Sequence, residues 1–165
     1  MKNDKIIHTV YDCVPGEFRG GVQKVALELA IAQADLGHLV EIWAIAHDGK
    51  RSSLAFKNIV IQYFPAVKLM GVTHSRLLVR ELEFRRDEIA VVHSHSTFHP
   101  LNWQVSQTCK KLGLDSFNHP HGALDPSLFS DKSIKAYKKR LYIQLIEAPL
   151  LRSAKKVFAL TKNEV

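Results

Sequence analysis

Histidine is concentrated in one part of this 165-residue chain, with five of its nine histidines between His93 and His121. They form two His-x-His pairs, His93-Ser94-His95 and His119-Pro120-His121, with His99 between them. A two-residue step puts both members of a pair on one face of a strand. At neutral pH an imidazole can ligate a metal, bond to an oxygen, or move a proton. A zinc site needs three or four converging ligands with support behind them. Cys109, the one cysteine in this stretch, forms no metal-type pair and no HExxH pattern is present, so a zinc site is disfavoured. Histidines bonded to backbone account for some of the five. The remaining chemistry is an imidazole against a sugar or phosphate oxygen, and His121 is assigned to it. Gly122 beside it lets a ligand approach the backbone closely.

A second chemical feature lies near the start of the chain. The apolar run Ile6 to Tyr11 leads through a loop to Gly20-Gly21 and then into a helical pattern. A helix N-terminus exposes unpaired N–H groups and partial positive charge, and so attracts phosphate. Side chains at positions 20 and 21 would hold a diphosphate away from those donors. The alternative is a plain turn that needs positive φ. The spaced three-glycine dinucleotide fingerprint is absent.

The elements that must carry these residues alternate between strands and helices. Strands are expected at 6–11, 38–45, 59–64, 89–94, 115–119 and 156–160. A helix is expected from Val22 to Leu36, with Val22, Val25, Leu29, Ala32 and Leu36 inward and Gly37 closing it. Helices are also expected over 75–86, with Leu78, Leu82 and Phe84 inward, and over 100–112, ended by Gly113. A long basic helix follows Asp125-Pro126, with Ile134, Tyr137, Leu141, Leu145 and Ala148 inward and a break at Pro149. Residues 47–57 read as loop, and 67–73 as a loop over the sheet edge. This pattern predicts a Rossmann-like, doubly wound α/β fold: a mostly parallel six-stranded sheet, order 3-2-1-4-5-6, with helices on both faces. In that order the loops at 12–21 and 95–99 flank the ligand crevice, with 119–125 beside them. Thr161-Lys162-Asn163-Glu164 reads as a capping box, so a further helix and a longer protein are expected.

Composition narrows the partners. The formal charge is +7, from 23 basic and 16 acidic residues. That balance suits a phosphorylated substrate or an anionic membrane, while nucleic-acid signatures are missing. Cys13 and Cys109 read as reduced thiols. No apolar segment is long enough to span a bilayer, and no secretory signal is visible.

Taken together, Arg19-Gly20-Gly21-Val22-Gln23, Leu36-Gly37-His38, Val92-His93-Ser94-His95 and Pro120 to Pro126 resemble the N-terminal half of a GT-B glycosyltransferase. Lys139 to Tyr142 and Glu147 to Leu151 are similar to the long helix of family 4 in that fold. This family comprises retaining enzymes that build bacterial polysaccharides and lipopolysaccharide. The resemblance implies that residues 1–165 form the acceptor-side domain, inactive alone, and that a separate C-terminal domain holds most of the nucleotide-sugar. It implies no cofactor and no metal, the nucleotide-sugar serving as co-substrate. His121 would contact the transferred sugar. Gly20, Gly21 and Gly122 would face the donor diphosphate and sugar. Arg19, His95, His99 and Asp125 are the acceptor-cleft candidates. Lys132, Lys135, Lys139, Arg76 and Arg80 would face anionic headgroups, placing the protein in the cytoplasm or on the inner face of the plasma membrane. Two other readings compete: a self-contained α/β module for a phosphorylated ligand, and a small nucleotide-dependent enzyme of other chemistry.

Overall fold

The computed structural model describes residues 4–18, 20–69, 72–129 and 134–162. Its main sheet has seven strands: β1 (Lys5–Thr9), β2 (Leu39–Ile45), β3 (Ser52–Phe56), β4 (Ile59–Phe64), β7 (Ile89–His95), β8 (Asp115–His119) and β9 (Lys156–Val157). Strands β5 (Val67–Leu69) and β6 (Val72–His74) pair separately as a small antiparallel hairpin. The helices are α1 (Gly21–Asp35), α2 (Arg76–Phe84), α3 (Pro100–Leu112), α4 (Ile134–Tyr142) and α5 (Ala148–Ser153).

Across the sheet the order is β3-β4-β2-β1-β7-β8-β9, parallel throughout except β3. The six expected strands therefore stand in the expected order. Strand β3 is an addition, folded from residues expected as loop. It hairpins onto β4 through a tight turn in which Lys57 adopts φ 54°. Its residues are almost all exposed, so they lack the apolar alternation that marks a half-buried strand. At the opposite edge β9 is two residues long, shorter than the five expected.

Two layers of side chains sandwich the sheet. On one face Ala26, Leu27 and Ala30 of α1 pack on Ile6, Val10, Val40, Ile42, Ile59 and Ile61. On the other, Leu78 and Leu82 of α2 and Leu101, Val105 and Cys109 of α3 pack on Ile7, Trp43, Phe64 and Val92. The buried face of α1 differs from the expected one: Val25, Ala32 and Leu36 are exposed, and Leu29 is half-buried. The segment is apolar around most of its circumference, so more than one 3.6-residue phase fits the pattern. The alanine phase lies against the strands, where small side chains let helix and sheet approach closely. Phe84, expected inward, is 86% exposed, because α2 ends there.

The long basic helix is divided as Pro149 requires. A π-helical stretch, Ile143–Glu147, separates α4 from α5, and Pro149 lies in the first turn of α5, where no N–H is needed. The inward face is also shifted. Ile134, Tyr137, Leu141 and Leu145 are exposed, while Glu147 and Leu150 are buried. Asp125 caps only a short 3-10 turn, Pro126–Phe129, its Oδ1 accepting from the Ser127 N–H at 2.9 Å.

A buried ion network ties the end of α2 to the sheet. Both Glu41 oxygens accept from the Arg85 guanidinium, at 2.6 and 2.9 Å. The Trp43 indole N–H donates to Glu41 at 2.9 Å, and Lys5 lies 3.2 Å away. Burial pushes the Glu41 carboxyl up, but the Arg85 and Trp43 hydrogen bonds and the two cations outweigh it and hold it at about 2. Arg85 thus belongs to the interior, whereas Arg76 and Arg80 of α2 are exposed. Among the described residues, no helix is long and apolar enough to cross a membrane.

Candidate functional site

Because β1, β7 and β8 run parallel, their carboxyl ends deliver three loops to one edge of the sheet, where the strand order reverses between β1 and β7. Direct contacts join these loops. The Tyr11 ring packs against His99 at a tilt, centroids 4.2 Å apart, linking the loop after β1 to the loop after β7. The Ser96 N–H donates to the His119 carbonyl at 2.9 Å, linking β7 to β8. Asn102 of α3 donates to the carbonyls of His95 and Ser96, at 3.1 and 2.7 Å. The Phe98 N–H donates to Glu147 at 2.6 Å. Among the described residues, three of the four non-glycine residues with positive φ lie in these loops: Ser96 (80°), Phe98 (59°) and His121 (57°). Such conformations are held only where the surroundings over-determine them.

Register then aligns the histidines. His8 of β1 pairs with His93 of β7, and His95 pairs with His119 of β8, so all four project from the α1 face of the sheet. Their rings stack in sequence: His8 on His93 at 4.6 Å, His95 on His119 at 4.6 Å, and His119 on Phe158 at 4.7 Å. Hydrogen bonds run across the stacks. Gln33 Oε1 is 2.6 Å from His8 Nε2, His8 Nδ1 is 2.9 Å from His95 Nε2, and His95 Nδ1 is 3.0 Å from His121 Nε2. A separate pair, His93 Nδ1 and His119 Nε2, lies 2.8 Å apart.

Burial keeps this row neutral. Desolvation, helped by neighbouring imidazoles, lowers His93 and His119 to about 3. It lowers His8 to about 4, against the Gln33 hydrogen bond, which acts upward. His95 is held well below the usual histidine range, again chiefly by burial. The rings bond to one another in a line and do not converge. Among the described residues, no group of three or more His, Cys, Asp or Glu is arranged to hold a metal.

The assigned residues fall into distinct environments. His121 ends the imidazole line, at the rim and half-buried, with Gly122 beside it at φ 82°. His95, expected in the acceptor cleft, is only 1% exposed and stands behind His121. His99 is at the rim, caps α3, and its Nδ1 has no hydrogen-bond partner among the described residues. Burial lowers its pKa. Asp125 is committed to its capping bond at the far side of the 121–125 turn. Gly20 and Gly21 are exposed at the start of α1. Gly20 is extended (φ −172°) and Gly21 is helical, so the alternative, a plain turn needing positive φ, is not why either is glycine. A Cβ at either position would meet nothing within 4 Å. Arg19 and Lys132, the side chain of Lys135, and residues 163 and 164 of the capping box lie outside the described residues.

Beside His99 an open groove of about 330 Å³ is walled by Val72, His74, Pro100, Trp103, Tyr142 and Ile146. Sequence reasoning missed this groove, the buried groups His8 and Glu147, and the half-buried Gln33. For His8 the signal was available, a lone imidazole between Ile6 and Val10 on a strand face that is otherwise apolar.

The sequence pattern of the glycosyl transferase 4-like domain matches residues 20–165. The chain belongs to this glycosyl transferase 4-like family. Among solved structures, sucrose-phosphate synthase from Thermosynechococcus elongatus is similar, with a TM-score of 0.64 at 14% identity. The match covers 93% of this chain and 41% of that one, so the glycosyl transferase 4-like domain spans less than half of its structural neighbour. No curated protein sequence matches. The family is the one the sequence resembles, and the shared fold is the Rossmann-like half that the resemblance implied.

Proposed function

We propose that this glycosyl transferase 4-like domain is the acceptor-side half of a retaining glycosyltransferase. The enzyme would move a sugar from a nucleotide-sugar to a glycan or lipid-linked acceptor in cell-surface polysaccharide synthesis. The observation that carries this reading is the open, side-chain-free start of α1 at the same sheet edge as the His121-Gly122 turn. Neither backbone conformation nor packing calls for glycine at 20 or 21, whereas a diphosphate seated on the helix N-terminus does. His121 would bond to the transferred sugar. Front-face departure of the diphosphate needs positioning and charge stabilisation, not a protein nucleophile. The groove lined by Trp103 and Tyr142 would take the acceptor, since aromatic walls bind the apolar faces of sugars and lipids.

In the full-length protein, Gly21→Val and His121→Ala should each lower sugar transfer from a nucleotide-sugar by at least about tenfold without loss of fold. Unchanged turnover in both variants removes the assignment.

One observation favours a lipid-linked acceptor over a free glycan. Helix α4 and the π-helical stretch after it expose Ile134, Tyr137, Leu141 and Leu145 beside Lys138, Lys139 and Arg140, an apolar stripe flanked by positive charge. Anionic vesicles should retain the protein at low salt and release it at high salt. Equal recovery with neutral vesicles counts against the membrane reading.

A further inference from the structure

The line from Gln33 to His121 has a direction, and that direction determines the state of its last ring. Gln33 Oε1 can only accept, so the hydrogen at His8 Nε2 points at it, at 2.6 Å. His8 is neutral, so its Nδ1 is a lone pair. The 2.9 Å contact with His95 Nε2 then requires the hydrogen to be on His95. His95 is neutral as well, so its Nδ1 accepts, and the 3.0 Å contact requires a hydrogen on His121 Nε2. Each ring in turn carries its proton on Nε2. In a neutral His121 the lone pair therefore falls on Nδ1, and that nitrogen can only accept. Turning the Gln33 amide over, NH2 toward His8, would reverse every donor and acceptor and make His121 Nδ1 a donor.

We propose that Gln33 and His8 are positioning residues that act through His95 to fix His121 as the Nε2–H tautomer, presenting Nδ1 as a hydrogen-bond acceptor. Three features of the fold support this. Parallel register brings His8, His93, His95 and His119 onto one sheet face, where stacking holds the ring planes nearly parallel. Burial denies the inner rings the water that would otherwise exchange their protons, His8 and His95 being 0% and 1% exposed. Gln33 comes from α1, the helix that begins at Gly20-Gly21, so one element carries both that helix start and the residue that orients His121. The use of this tautomer, accepting from a hydroxyl of the transferred sugar, rests on the proposed glycosyltransferase reading. The tautomer itself does not.

The test is a long-range 1H–15N spectrum of the 15N-labelled protein near neutral pH, with His121 assigned by comparison with His121→Ala. The expected result is a pyrrole-type Nε2 and a pyridine-type Nδ1 for His121. Gln33→Leu removes the terminal acceptor and should shift the tautomer ratio at His121 by about fivefold toward Nδ1–H, the effect of one lost hydrogen bond. Gln33→Glu puts an ionised carboxylate, which can only accept, in place of the amide and should keep the wild-type pattern. An Nδ1–H His121 in the wild-type protein overturns the proposal, as does an unchanged ratio in a folded Gln33→Leu. Should Gln33→Leu not fold, the wild-type spectrum and Gln33→Glu still decide it. These readings are independent of turnover, so a protein that transfers no sugar but shows the expected tautomers retains this inference and loses only the functional reading.

Discussion

His95 Nδ1 lies 3.0 Å from His121 Nε2, and His95 is itself closed off from solvent. The ring at the rim is therefore held from behind by one that no ligand can reach. Replacing His95 by Phe keeps a ring in the stack between His8 and His119 but deletes the acceptor that orients His121. Full-length His95→Phe should retain its melting temperature within a few degrees while losing ten- to hundredfold in sugar transfer, roughly the scale of a misplaced reacting group. Steady-state kinetics alongside thermal unfolding measures both.

The glycines at the start of α1 should separate stability from binding. Gly21 is helical with open space where a Cβ would point, so Gly21→Ala should raise stability by about 0.5–1 kcal/mol. The same change should weaken nucleotide-sugar binding, and Gly21→Val more so. Urea unfolding and calorimetric titration with the donor make the pair of measurements. Tighter or equal binding by Gly21→Val means that no diphosphate sits there.

The buried imidazoles should make the protein acid-sensitive. His8, His93 and His119 are lowered from 6.5 to about 4, 3 and 3. Below pH 6.5 the unfolded chain takes up protons that the folded chain refuses, so stability falls as pH falls toward 4 and is unaffected by these groups above 6.5. Three such groups together give a slope of up to about 4 kcal/mol per pH unit. Urea midpoints should drop steeply between pH 6.5 and 5, and His8→Phe should remove about a third of the slope. A flat profile over that interval rules out neutral burial.

Glu41 is the anchor of the network around Arg85. Glu41→Leu leaves Arg85, 10% exposed, with Glu88 and the more distant Glu81 as its remaining acidic partners. It also strands the indole N–H of Trp43, and should cost about 1–3 kcal/mol. Donor affinity of the folded fraction should be unchanged, because the network ties the end of α2 to β1 and β2 rather than touching the crevice loops. Chemical unfolding reads the first effect and titration the second.

Glu147 holds the rim loop through the Phe98 N–H. Burial raises its pKa while that N–H lowers it. Glu147→Gln keeps an acceptor and should leave the loop intact. Glu147→Leu should raise hydrogen exchange at the Phe98 amide by about tenfold, the loss of one hydrogen bond to a charged group. Equal protection in the two variants shows that the carboxylate does not hold the loop.

The alternation of apolar runs with helical segments, Gly37 and Gly113 as helix stops, and Pro149 as a break are local features, and local energetics decide them. Strand composition and loop length also led to the order across the sheet, because right-handed crossovers leave few alternatives. The sequence alone thus determined a mostly parallel α/β domain with two chemical loops at one edge, and the family to which it belongs. Tertiary packing decided the rest. The phase of α1 and the exposed stripe that starts on α4 depend on which surfaces meet, since apolar segments such as these satisfy more than one periodicity. Strand β3, exposed and without apolar alternation, is a strand only because it pairs with β4. The imidazole line depends on cross-strand register. His8, His95 and His121 are far apart in sequence, and only pairing β1, β7 and β8 at one particular offset brings their ring nitrogens within hydrogen-bond reach.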